Sequence, residues 1–114
     1  MDDFSKDVFS FWFETLEPSQ HFIASPQLDA TMRERFLPLY ETLNAQPMNG
    51  DTASAEAILA AIIVLDQFSR NMFRGTAQAF ATDDTALALA HAAIRRGLDA
   101  QIEQARRSFI YMPL

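Results

Sequence analysis

The longest uninterrupted apolar run of the chain lies in residues 57–75, which read AILAAIIVLDQFSRNMFRG. From Ala57 to Leu65 no polar side chain interrupts it on any face of a helix. A helix that is apolar all round is buried between other elements, and this run reaches only about half of the ~20 residues that span a bilayer. We therefore predict a buried central helix over about 52–70 and no membrane-spanning segment.

Helix start and stop signals flank this segment on both sides. N-cap residues and glycines mark the boundaries at Ser25-Pro26, Thr52 or Ser54, Gly75, Thr82-Asp83 and Gly97. Together with the apolar spacing they predict helices at 4–16, 26–44, 52–70 and 83–96, and a fifth that starts near 99–104. Pro38 should bend the second helix. Because no segment alternates like a strand, we predict an all-α fold of about five helices in antiparallel hairpins, forming a single domain over 1–114.

Composition narrows the classes of function. The 114 residues include 9 Lys+Arg against 15 Asp+Glu, for a net charge of −6, and no cysteine. The acidic balance disfavours nucleic acid as a partner, and the missing cysteines exclude disulfides and thiolate chemistry. The start of the chain, MDDFSKD, is acidic, whereas a signal peptide begins with basic residues. We expect a soluble, cytoplasmic protein.

The first helix carries two apolar stripes at helical spacing. They are Phe4, Val8 and Phe11 on one face, and Phe9, Phe13 and Leu16 on the other. A surface helix normally has one such stripe. The second stripe predicts either that this helix is sandwiched between neighbours or that one of its faces meets another chain.

The fourth helix offers less information about function. Leu87, Ile94 and Leu98 are the apolar residues from which we predict its apolar face, with His91 half-buried at the edge, and Ala86, Ala90 and Ala93 predict a thin neighbouring face that lets another helix approach closely. His21 falls in a connection without a carboxylate at ligand spacing. Since a zinc site needs three or four convergent ligands, the two histidines predict no metal site. No cofactor motif and no catalytic constellation can be identified, which leaves open whether the chain is an enzyme.

A polar cluster follows directly on the apolar run. We define it by its five members, Asp66, Gln67, Arg70, Asn71 and Arg74. One interpretation is a hydrogen-bonded network that caps the helix end, because a lone buried charge costs several kcal/mol. The other is a pocket in which Arg70 and Arg74 clamp an anionic group that Asp66 and Gln67 orient. Under the first interpretation Arg70 is fully engaged by protein atoms, and under the second it is not.

The same stretch resembles the signature of a known family. Residues 65–76, LDQFSRNMFRGT, continued by 79–83, AFATD, are similar to the motif of the bacterial domain-of-unknown-function family numbered 924, and shorter similarities extend over nearly the whole chain. The resemblance implies a tetratricopeptide-like α-superhelix and no known activity. Three departures stand out: Ser69 replaces a usual proline, His21-Phe22 replaces a Trp-Phe pair, and the chain resembles a C-terminally short member of the family.

Two hypotheses about function follow. The first is a protein- or peptide-interaction and self-association module without catalytic activity, which forms a homodimer through helix 1 or the C-terminal helix. The alternative is a small-molecule enzyme or binder for an anionic carboxylate or phosphate ligand, built on the polar cluster.

Overall fold

The chain folds into five helices in a computed structural model that describes residues 4–21 and 24–114. The first, called helix 1 below, is α1 (Phe4–Phe9) followed by a π-helical turn (Ser10–Thr15), and the second is α2 (Pro26–Ala45). The third is one continuous helix made of α3 (Ala55–Ile62), a π-helical turn (Ile63–Phe68) and α4 (Ser69–Met72). The fourth is α5 (Asp83–Arg95), and the fifth is α6 (Gln104–Tyr111). Short 3₁₀ turns lie at Pro18–Gln20, Ala77–Phe80 and Leu98–Gln101. The described ranges contain no strand, and the helices pack in a hairpin or superhelical arrangement. The acidic start at 1–3 and Phe22 lie outside the described residues.

The predicted central helix is confirmed. Residues 58–66 are buried without exception, and α3 packs against α1, α5 and α6. The π-helical turn that follows packs against α2. Each fully buried aliphatic side chain of this kind contributes roughly 1.5–3 kcal/mol to folding. The apolar run therefore positions all the other helices around itself.

Local capping signals are also confirmed. The Ser25 Oγ accepts from the backbone N–H of Leu28 at 3.3 Å, and the Ser54 Oγ accepts from Ala57 at 3.1 Å. α2 runs through Pro38 as one helix, and Pro38 lies on its exposed side.

Thr82 is the N-cap residue of α5, as predicted, but the predicted capping by its hydroxyl is wrong. Its hydroxyl makes no capping hydrogen bond to α5 and instead donates to the carbonyl oxygen of Leu65 at 2.7 Å. The Ser69 hydroxyl donates to the same carbonyl at 2.9 Å. Leu65 lies in the π-helical turn, where the usual helical bonding is interrupted, and a buried carbonyl left unsatisfied costs about 1–3 kcal/mol. The two hydroxyls together fill both lone pairs of this carbonyl oxygen, and Thr82 makes this bond in place of an N-cap bond worth about 1 kcal/mol.

The predicted apolar face of the fourth helix is wrong in part. Leu98 is buried, but Leu87 is only half-buried, Ile94 is 38% exposed, and His91 is exposed rather than half-buried. The buried residues of α5 are Ala86, Leu89, Ala90, Ala92 and Ala93. The predicted neighbouring face of Ala86, Ala90 and Ala93 is confirmed, and these small side chains let α5 lie close to α3.

The loop between α2 and α3 packs tightly on α5 at Gly50. A Cβ atom at this position would lie 2.7 Å from the Cβ of Ala92, which cannot move without the helix backbone. Arg96 holds the loop there, because its Nη1 donates to the carbonyl oxygens of Gly50 and Ala53 at 2.7 and 2.8 Å.

We expect Gly50→Ala to lower the free energy of unfolding by about 1 kcal/mol, since an overpacked methyl forces the loop away from α5. Urea unfolding of the single variants Gly50→Ala and Ala92→Gly and of the double variant measures it. In the double variant the clash is gone, so its loss should be smaller than the sum of the single losses. Additive losses would contradict the contact.

Candidate functional site

The structure brings the five residues of the polar cluster together at the end of the central helix. Asp66 and Gln67 belong to the π-helical turn, Arg70 and Asn71 to α4, and Arg74 to the turn that follows. Asp66 and Asn71 are buried, Gln67 and Arg70 half-buried, and Arg74 exposed. The cluster therefore runs from the core to the surface.

Arg70 is held by protein atoms on several sides. Its Nη1 donates to the carbonyl oxygen of Ala79 and to Asp83 Oδ1, both at 2.8 Å. Its Nη2 donates to Asp83 Oδ2 at 3.3 Å and to Asp66 Oδ1 at 3.5 Å, and the guanidinium carbon lies 4.6 Å from the ring centre of Phe80. The i, i+4 pair with Asp66 predicted from the sequence exists, but the shorter ion pair is with Asp83.

Arg74 and Asn71 share a carboxylate on α2. Arg74 donates from Nε to Asp29 Oδ2 at 2.7 Å and from Nη2 to Oδ1 at 3.2 Å, which is a bidentate pair. Asn71 donates from Nδ2 to Asp29 Oδ1 at 2.9 Å. Asp29 could not be predicted from the sequence, since a partner 45 residues away leaves no signal in spacing. The sequence indicates Asp83 only as a residue at a helix N-terminus.

Burial and these partners shift the acid strengths of two carboxyl groups in opposite directions. Burial raises the pKa of Asp66 above its ordinary 3.8, and the Arg70 charge and the hydrogen bond from Gln67 offset this only in part. Burial would also raise the pKa of Asp29, but the hydrogen bonds from Arg74 and Asn71 and the Arg74 charge outweigh it and lower that pKa. The fold thus favours ionised Asp29 and disfavours ionised Asp66.

A small cavity opens beside the cluster. It measures about 130 Å³ and is lined by His21, Gln67, Arg70, Asn71 and Arg74. The His21 ring stacks on Trp12 at 4.0 Å, and its Nε2 lies 2.7 Å from the Trp12 carbonyl oxygen, which can only accept a hydrogen bond. Sequence analysis assigned His21 no role, because only the fold brings it beside residues 67–74.

A larger apolar groove lies on the other side of His21, between helix 1 and α6. We call it the α1/α6 groove; it measures about 400 Å³ and is lined by Phe13, Leu16, Pro18, His21, Glu103, Ala105, Arg106 and Phe109. Phe9 and Phe13, from the second predicted stripe, are half-buried, and the Arg106 guanidinium carbon lies 5.5 and 4.6 Å from their ring centres. Leu16, the third member of that stripe, is buried.

Within the described part of the chain, no group of three or more histidine, aspartate or glutamate side chains could hold a metal ion. No helix among residues 4–21 and 24–114 is both long and apolar enough to cross a membrane.

Comparison with known proteins gives a family and a fold. The family model described as bacterial protein of unknown function (DUF924) matches residues 8–114. A solved structure of a protein of unknown function from Agrobacterium tumefaciens, ATU0120, is similar, with 35% sequence identity and a TM-score of 0.88. The similarity covers 96% of this chain, which spans 62% of the Agrobacterium chain. No curated protein matches the chain.

Proposed function

The chain belongs to the bacterial family of unknown function DUF924, and we propose that it acts as a helical interaction module without catalytic activity, whose partner is a second copy of itself. Two chains would meet through the α1/α6 groove and the end of α6. The proposal includes tetratricopeptide-like stacking of the helical hairpins and a cytoplasmic location.

The observation that carries this proposal is the apolar surface along α6. Ala105, Phe109 and Met112 follow one another at i, i+4 and i+7, so they share one side of the helix. Ala105 is exposed and lines the groove together with Phe109, which is itself buried, and Met112 is 44% exposed. With the half-buried Phe9 and Phe13, they make an apolar surface that another helix would cover favourably.

The contacts of the polar cluster support the absence of catalysis. Both arginines of the cluster already pair with carboxylates: Arg70 with Asp66 and Asp83, and Arg74 with Asp29. A catalytic cation would need to release such a partner before it could stabilise developing charge on a substrate.

We expect Met112→Glu to weaken self-association at least ~10-fold, because an interface would have to bury an unpaired carboxylate. Sedimentation velocity over a range of protein concentrations measures it. The matched control is Ile94→Glu, which places the same charge on an apolar residue of similar exposure on α5 and should leave association unchanged.

Two results would contradict the proposed surface, and a third would contradict self-association alone. One is a wild-type monomer at micromolar concentration that binds no apolar dye. The other is equal weakening of self-association by Met112→Glu and Ile94→Glu, which would place the interface elsewhere. A wild-type monomer that does bind an apolar dye would point instead to a peptide as the partner and would overturn self-association.

A further inference from the structure

We infer that the small cavity beside the polar cluster binds the carboxylate of a monocarboxylic acid, whose apolar tail lies in the α1/α6 groove. This goes beyond the proposed self-association, because it assigns a small-molecule ligand to the cavity beside the cluster, although its tail and a second chain would compete for the same groove. His21 lines both spaces, so the cavity and the groove adjoin at this residue.

The side chains that line the cavity all carry hydrogen-bond donors, several of which already donate to carboxylates. None of its five lining residues is acidic, although Asp29, Asp66 and Asp83 all bond to them. Asp29 engages Nε and Nη2 of Arg74 and so fixes the guanidinium plane. Within the described residues, the Nη1 of Arg74 has no hydrogen-bond partner. A guanidinium group that is held in one orientation, with one nitrogen that has no partner, is well suited to bind a carboxylate.

Charge and size favour a monocarboxylate over a phosphate. Three carboxylates and two guanidinium groups meet around the cluster, so a dianion would add more repulsion than a single negative charge. The cavity of about 130 Å³ is far smaller than the groove of about 400 Å³. A carboxylate head therefore suits the cavity, and the aromatic side chains Phe13 and Phe109 of the groove suit an apolar tail.

The fluorescence of Trp12 provides the measurement. It is the only tryptophan of the chain, and it stacks on His21. We expect hexanoate to change this fluorescence saturably, and hexanamide, acetate and inorganic phosphate to bind at least ~10-fold more weakly, since each lacks either the single charge or the tail. Equal binding of hexanoate and hexanamide, equal binding of phosphate, or no saturable change with hexanoate would overturn the inference.

A pair of variants locates the site. Arg74→Gln should weaken hexanoate binding at least ~10-fold, while Arg33→Gln, an exposed arginine of α2 outside the cavity lining, should not. Equal weakening by both variants would overturn the inference. Because the wild-type comparison of hexanoate with hexanamide needs no variant, it decides the question even if Arg74→Gln fails to fold.

Self-association is read separately by sedimentation. Hexanoate is titrated at a protein concentration at which sedimentation shows a monomer, because a second chain would cover the groove that the tail needs. If hexanoate fails to bind this monomer while the chain self-associates at higher concentration, only the carboxylate site is contradicted. If hexanoate binds and the chain sediments as a monomer at every concentration, only the proposed self-association is contradicted.

Discussion

Phe68→Ala should lower the free energy of unfolding by about 3–5 kcal/mol, the usual cost of deleting a fully buried aromatic ring. Phe68 is 0% exposed and lies in the second π-helical turn. Its ring centre lies 4.8 Å from that of Phe36, 5.5 Å from Trp12 and 5.9 Å from Phe11. One side chain thus joins helix 1, α2 and the central helix, and neighbours on three elements cannot all close the cavity.

Urea unfolding followed by far-ultraviolet circular dichroism measures the loss. The matched control is Phe80→Ala, since Phe80 is 58% exposed and its ring contacts the Arg70 guanidinium. That contact is worth about 0.5–1 kcal/mol at an exposed site, so the control should lose far less than Phe68→Ala. Similar losses in the two variants would show that the core does not depend on Phe68.

The features that could be predicted from the sequence are those set by neighbouring residues. The buried helix follows from the apolar run 57–65, and the helix starts at Ser25 and Ser54 from their own side chains. The ends near Gly75 and Gly97 follow from glycines that adopt φ of +84° and +73°, where other residues are strained. None of these features needs a distant partner.

The errors arose where distant parts of the chain decide the local outcome. Hydropathy favoured Leu87 and Ile94 as core residues of α5, but α3 packs against the neighbouring face of Ala86, Ala90 and Ala93. Thr82 is the N-cap residue of α5, but its hydroxyl donates to the Leu65 carbonyl and does not cap the helix. The π-helical turns were not predicted, because one extra residue in a turn barely disturbs a helical pattern.

The membership of the polar cluster could be predicted, but its partners could not. Asp66, Gln67, Arg70 and Asn71 lie within two helical turns, so their proximity is local. Asp29 and Asp83 come from α2 and α5, and they decide how the arginines are oriented. The network interpretation describes the contacts of Arg70. Ligand binding remains a proposal, and it concerns the Nη1 of Arg74.

Arg70→Ala should lower the free energy of unfolding by roughly 1–3 kcal/mol at neutral pH, the usual cost of breaking a buried polar network. Asp66 would lose its cation while it stays buried, and the Ala79 carbonyl would lose its donor. Asp83 matters less, because its side chain is 41% exposed and water can replace the guanidinium. Urea unfolding at several pH values measures the loss.

The pH dependence separates the charge of Asp66 from the other lost contacts. Its pKa in the folded protein lies above 3.8, so its contribution to stability is fully present below 3.8 and is lost as pH rises through the folded pKa. Removing Arg70 raises that pKa further, so the loss in Arg70→Ala should grow from acidic to neutral pH. Asp66→Asn/Arg70→Ala is the control, since a neutral side chain needs no cation and should remove this growth.

A loss in Arg70→Ala that is the same at every pH would show that burial of ionised Asp66 is not its cause, and the Ala79 carbonyl would then be the group that matters. Wild-type stability in Arg70→Ala would contradict the network itself. If that stable variant also failed to bind hexanoate, Arg70 would serve a ligand rather than the fold, as the pocket interpretation requires. Stability and binding, measured on the same variant, therefore distinguish the two interpretations of the cluster.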